Sequence, residues 1–197
     1  MNAAEEGLHS FLSRMPAAAR ERFGFSESDN LAEATLGDPF NLFVIHPEAV
    51  LDYSPSEPIE NILTTTNLWY FPVRIRQKTR CLLIVDFIKD EWRTVSLGAA
   101  SLAQEVEDVR EAWPETEGYR PEFIAVRQAG AYLFSVPALD KSNLTMLAVS
   151  SQTSQSDSQT TQSHKPSETD AYKRLSNIDS TLSILRPAVE RNLKHNH

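Results

Sequence analysis

The sequence predicts an α+β fold: an antiparallel sheet built around a central meander, with a helix packed on one face, N-terminal helices before it and a tethered C-terminal helix after it. Three observations predict this. Residues 67–97 read as three strands joined by short polar turns. Residues 99–113 read as one amphipathic helix. Residues 150–167, SSQTSQSDSQTTQSHKPS, interrupt the pattern with a run that has no large apolar side chain, and a last helical pattern follows.

The meander is the clearest of these. In its first strand, residues 68–75, the aromatic and β-branched side chains of Trp69, Tyr70, Phe71, Val73 and Ile75 suit a pleated, half-buried surface. Val73 and Ile75 alternate with Arg74 and Arg76, the period of a sheet with one wet face. Pro72 has no amide to donate, which predicts a bulge or an edge position. Residues 81–85, CLLIV, are apolar without interruption, so this strand should be buried on both faces and central. Residues 92–97 form the third strand. Strands joined by such short turns must run antiparallel.

Before the meander, residues 3–15 place Leu8, Phe11, Leu12 and Met15 on one helical face, and Pro16 ends that helix. Residues 17–23 continue as helix until Gly24. Ser26 and Asp29 resemble a capping arrangement before a helix over 31–36, which Gly37 and Asp38-Pro39 terminate. Residues 40–46 read as a strand and 47–53 as a helical turn. Loop follows over 54–60, and Ile59, Ile62 and Leu63 suit one more short helix.

After the meander, Leu102, Val106, Val109 and Trp113 form one apolar stripe opposite an acidic face. Residues 122–127 and 132–136 read as a hairpin around Ala129-Gly130, and 143–149 as a last strand. The expected organisation is an α+β domain over 1–149, a flexible polar linker over 150–167 and an amphipathic helix over 168–194. Ser167 and Asp170 suit its cap. Leu175, Ile178, Leu182, Leu185 and Val189 form its seam, with a kink expected at Pro187.

Charge narrows the function classes. The net charge is −8, and residues 1–66 hold all of that excess, with Arg14, Arg20 and Arg22 against eleven carboxylates. Such a field argues against a nucleic-acid surface. The single cysteine excludes an internal disulfide and a thiolate zinc cluster. No apolar run reaches the ~18 residues needed to span a bilayer, and the cations of the last helix are balanced by carboxylates, unlike a basic membrane-surface helix. The start has no signal-peptide pattern. The compartment stays open: extracytoplasmic if a leader is removed, otherwise cytoplasmic.

The residues that could carry chemistry are few. Cys81 sits in the most buried-looking run and reads as a core thiol. His9, His46, His164, His195 and His197 have no ligand spacing within an ordered element, and Asp86, Asp90 and Glu91 read as turn residues. There is no GxSxG elbow and no Gly-rich phosphate loop. Asn143-Leu144-Thr145 matches the glycosylation acceptor. No catalytic residue, metal site or cofactor is therefore expected. An enzyme reading would need His46 or Asp86 to converge with Tyr70 or Trp69 on the concave face of the sheet.

Two features point to binding instead. Arg74, Arg76, Lys78 and Arg80 crowd the first turn of the meander, with Arg93 in its third strand. They suit an anion or acidic-partner contact, protection of a sheet edge, or pairing with the acidic N-terminal part. The seam of the last helix suits docking on its own domain, self-association, or a partner's groove. The expected function is a non-enzymatic protein-interaction or binding module.

The segments LAEATLGDPFNLFVI (residues 31–45) and WYFPVRI (residues 69–75), followed by a strand ending WRTVSLG and a helix, resemble bacterial extracytoplasmic domains of cystatin-like or PepSY-like α+β build. The resemblance covers roughly residues 26–149. It implies a binding module, some relatives of this build being protease propeptides or inhibitors, and it assigns no functional residue.

Overall fold

Two reversals of the chain create the meander, and both use the left-handed region without glycine. Arg76 and Gln77 have φ of 48° and 67°, and Lys89 and Asp90 have 52° and 64°. Each pair forms a two-residue loop whose twist matches the flanking strands. The computed structural model describes residues 2–55, 57–137, 144–149 and 175–195. The fold is α+β.

The chain divides into two compact units, Met1–Leu42 with Thr66–Glu107, and Phe43–Thr65 with Asp108–His197. The division therefore does not follow the 1–149 block expected from composition. It falls inside strands β2 (Phe40–Ile45) and β3 (Leu63–Ile75) and inside helix α3 (Ala100–Ala112), because contacts rather than composition set it. The expected linker over 150–167 and the Asn143 acceptor lie outside the described residues.

The first unit contains the meander. β3, β4 (Lys78–Ile88) and β5 (Glu91–Gly98) pair antiparallel in sequence order. β4 lies in the middle, and Cys81, Leu82 and Leu83 are completely buried. Pro72 is not at an edge. It pairs with Leu82 on one side, and on the other its carbonyl accepts the Gly37 amide at 2.7 Å. The ladder does bulge beside it: Val73 opposes Cys81 and Arg74 opposes Thr79, which leaves Arg80 as the extra residue. A second bulge makes Val95 the extra residue of β5. A bulge re-aims the side chain it carries.

Helix α1 (Asn2–Ser13) packs on one face of the meander. Ala4, Leu8 and Phe25 join Val73, Ile75, Cys81, Leu83, Val85 and Leu97 in one core, with Phe11 and Leu12 against it. The close approach depends on Gly7, where a Cβ would lie 1.9 Å from Thr94 Oγ1. Thr94 also donates to the Ala3 carbonyl at 2.7 Å. Gly7→Ala should therefore destabilise by about 2 kcal/mol, the overpacking outweighing a helix-propensity gain of about 1 kcal/mol. Urea denaturation checks this; a more stable variant would show that α1 is free to shift.

Two N-terminal expectations change. Residues 17–23 form two short 3-10 turns, Ala17–Ala19 and Glu21–Phe23, because the Arg20 carbonyl accepts the amides of both Phe23 and Phe25. Gly24 does stop the segment, at φ 86°, where a Cβ would run into the Arg80 carbonyl. Residues 31–36 are not one helix. Leu31–Glu33 is a 3-10 turn capped by Asn30, and Thr35–Leu36 is strand β1, paired antiparallel with Arg74 and Val73 of β3. Tertiary pairing overrides the helix expected from the capping pattern of Ser26 and Asp29.

The second unit holds helix α2 (Pro47–Asp52) and an antiparallel run of β6 (Glu122–Val126), β7 (Ala131–Pro137), β8 (Leu144–Val149) and β9 (Leu175–Asn177). It ends in helix α4 (Ile178–His195). This corrects the expected start at 168 and moves Leu175 from the helical seam into a strand. The reason is the cap: the Ser180 amide donates to Asn177 Oδ1 at 2.8 Å. The expected Ser167–Asp170 cap lies outside the described residues. Pro187 lies inside α4, which runs as one helix across it.

Candidate functional site

The basic cluster of the meander meets carboxylates of its own unit. Arg74 Nη2 lies 3.1 Å from both oxygens of Glu107, which also accepts from Thr79 at 2.7 Å. Arg76 pairs with Glu33 at 2.9 Å, Arg80 with Asp29 at 2.6 Å, and Arg93 with its neighbour Glu91 at 2.9 Å. Lys78 is exposed and has no ion pair among the described residues. Four of the five cations thus each have a carboxylate within their own unit.

Asp29 is the buried member of this set. Burial pushes its carboxyl up, but the Ser26 amide at 2.7 Å and the Arg80 guanidinium together hold it below its ordinary value. Glu33 is also lowered, first by its hydrogen bond from Arg76 and then by that from Asn30.

The seam of the last helix is occupied within the second unit. Leu182 and Val189 are buried among Ile45, Val50, Ile124 and Leu133, with Ile178 and Leu185 packed against them. Polar contacts fix the docking. Arg186 Nη2 donates to the carbonyls of Leu51 at 2.8 Å and of Val50 and Tyr53 at 3.3 Å, which places a cation at the C-terminal end of α2. Tyr53 donates to Asp179 at 3.0 Å. Burial, and then that carboxylate, push the phenol up to about 12. Of the docking residues named from the sequence, Ile178, Leu182, Leu185 and Val189 are thus engaged in cis.

Two surfaces of the first unit had no counterpart in the sequence reading. The first is aromatic. Trp69 opposes Val85 and Phe87 opposes Trp92, so these side chains share the face on which α1 lies. Twelve residues of helix span about 18 Å, whereas the eleven of β4 span about 36 Å. The helix cannot cover the whole strand. Trp69, Phe87 and Trp92 are left 37%, 39% and 47% exposed, and the bulged Val95 of β5 is 43% exposed. Phe87 and Trp92 pack with ring centroids 5.0 Å apart. A groove of about 480 Å³ runs between the first turn of α1 and the two tryptophans.

The second surface is a cleft of about 750 Å³ between α1 and residues 31–39. Leu8, Leu12, Leu31, Leu36 and Phe71 supply its apolar lining, and Glu5, His9 and Asp38 its titratable side chains.

The residues named for an enzyme reading have ordinary structural settings. His46 is exposed just before α2, and Asp86 accepts from the neighbouring Phe87 amide at 2.8 Å. Tyr70 is buried and stacks on Phe40 with ring centroids 5.4 Å apart. Cys81 is fully buried, and burial pushes its thiol up to about 12, far from a thiolate nucleophile. Among the described residues no three His, Cys, Asp or Glu side chains gather around a metal position, and no helix is long and apolar enough to cross a membrane. No protein family, curated protein or solved structure matches this chain.

Proposed function

We propose that this chain is a non-enzymatic protein-interaction module whose contact surface is the aromatic edge of the first unit, with the last helix serving as part of the second unit's core. One observation carries the reading. β5 is the outermost strand of the meander, without a second neighbour among the described residues, and it carries exposed Trp92 and Val95, with Phe87 of β4 and Trp69 of β3 exposed as well. An outer strand offers a row of backbone donors and acceptors, and exposed aromatic side chains next to it supply anchoring area. The occupant that fits is an extended, apolar-patterned segment of a partner protein added alongside β5. The likeness of residues 31–45 and 69–75 to cystatin-like or PepSY-like modules points in the same direction.

A photoreactive phenylalanine analogue placed at Val95 or at Ile184 of the full chain tests this in the native host. Ile184 is the control, being 75% exposed on α4. A covalent protein adduct from position 95, lost on Trp92→Ser, is the expected result. An adduct of twice the chain's mass would make the partner a second copy, which strand addition also accommodates. Adducts from position 184 alone would overturn the proposal.

A further inference from the structure

We infer that the segment added alongside β5 is the β5 of a second copy, paired antiparallel about a twofold axis through Trp92. This rests on β5 being the contact edge and adds the identity of the partner. The charges of the strand lead there. Glu91 and Arg93 are exposed on the face opposite α1 and flank Trp92, and Asp86 of β4 stands directly across from Arg93. In an antiparallel pair centred on Trp92, Glu91 of each copy stands opposite Arg93 of the other. The order acid, tryptophan, base is thus its own complement, as an isologous contact requires. The ion pair within one strand, Glu91 with Arg93 at 2.9 Å, does not have to break, because a guanidinium has donors for several carboxylates. Across the paired strands the charges then alternate: Asp86, Arg93, and Glu91 of the second copy.

The backbone fits the same register. Lys89 and Asp90 form a two-residue turn closed by the Ile88–Glu91 pair. Ladder hydrogen bonds alternate from that pair onward. Trp92 and Thr94, opposite Phe87 and Val85, therefore turn their amides and carbonyls away from β4, toward the open edge. Two Trp92 residues meeting on the axis can exchange both hydrogen bonds, with their half-exposed indoles side by side on the α1 face. Neighbouring registers fail. An axis through Arg93 sets two guanidinium groups opposite each other. An axis through Thr94 brings the two Thr94 residues about 5 Å apart, and each carries an α1 resting on it at Gly7, whereas packed helices need about 8–10 Å. With Trp92 on the axis, Thr94 of one copy stands beside Asp90 of the other. The two Thr94 residues are then about 14 Å apart along the strands, which leaves room for both helices. The contact is confined to the end of the meander, so the dimer should be weak, with a Kd on the order of 0.1 mM.

The test is sedimentation equilibrium of the full chain, which should show a monomer–dimer equilibrium between about 10 µM and about 2 mM. Glu91→Lys alone and Arg93→Glu alone should each weaken association roughly tenfold, because each sets like charges opposite one another on both sides of the axis. An equimolar mixture of the two variants restores opposite charges in the mixed dimer and should return to about the native affinity, which also shows that both variants fold. The double variant Glu91→Lys/Arg93→Glu, whose exchanged charges are again complementary, should associate as the native chain does. A native chain that stays monomeric throughout, a dimer that ignores either substitution, or no recovery in both the mixture and the double variant would overturn the inference. Its failure is distinguishable from that of the contact edge. A covalent adduct of position 95 with another protein, from a chain that stays monomeric, would remove the second copy and keep the edge.

Discussion

Asp29→Ala is expected to cost about 3 kcal/mol at pH 7, as removal of one member of a largely buried ion pair does. Asp29 is 5% exposed and Arg80 is 24% exposed, and the two meet at 2.6 Å. Alanine would leave a guanidinium whose Nε already has no hydrogen-bond partner among the described residues, and would release the Ser26 amide as well. Arg80→Met should be milder, because Asp29 keeps the Ser26 amide and can be protonated. The double variant should lose less than the sum of the singles, since the two share one interaction. The pH dependence has a definite sign. Asp29 has a folded pKa below its unfolded one. Its contribution is complete above the ordinary carboxylate range near pH ~4 and disappears as pH falls through the depressed folded value. The gap between the native chain and Asp29→Ala in urea midpoints should therefore narrow below about pH 4 and stay constant above it. A cost under about 1 kcal/mol at pH 7 would show that the pair does not hold the 26–33 turn to the meander.

What was legible in the sequence followed from local pattern. The stripe of Leu102, Val106, Val109 and Trp113 is buried along α3, and the CLLIV run does form the middle strand of the meander. Gly24 stops its segment for the reason glycine usually does. What was not legible depended on distant residues. Ser26 and Asp29 resemble a cap for a helix over 31–36, yet Thr35 and Leu36 pair with β3. Neither meander turn contains glycine, so nothing in the sequence announces their left-handed residues. The extra residues at Arg80 and Val95 appear only once the register is known.

The candidate sites divide in the same way. The excess of carboxylates in residues 1–66 foretold that the meander's cations had internal anions available, but not that Asp29, Glu33 and Glu107 would be the acceptors. The cleft is built by a helix and a loop some twenty residues apart, whose side chains carry no shared motif. The aromatic edge arises from a mismatch of length between α1 and β4, a quantity no local window contains.

The last helix shows how a pattern can be legible while its receiver is not, and Leu182→Ala measures that receiver. Leu182 is 2% exposed within a core that also holds Val189, Ile45 and Val50. Truncation to alanine should cost about 3 kcal/mol, from the lost burial and the cavity left behind. Ile184→Ala, two positions away on the exposed side, should stay within about 0.5 kcal/mol. The contrast separates docking from helix propensity, since both variants place alanine in the same helix. Hydrogen exchange adds a second readout. Arg186 and Tyr53 join α4 to the C-terminal end of α2, so loosening α4 should release the amides of residues 50–53 along with those of 180–190. A helix that merely lay on the surface would open alone. Coupled loss of protection in Leu182→Ala, absent in Ile184→Ala, is the outcome expected of a helix that completes the core of its unit.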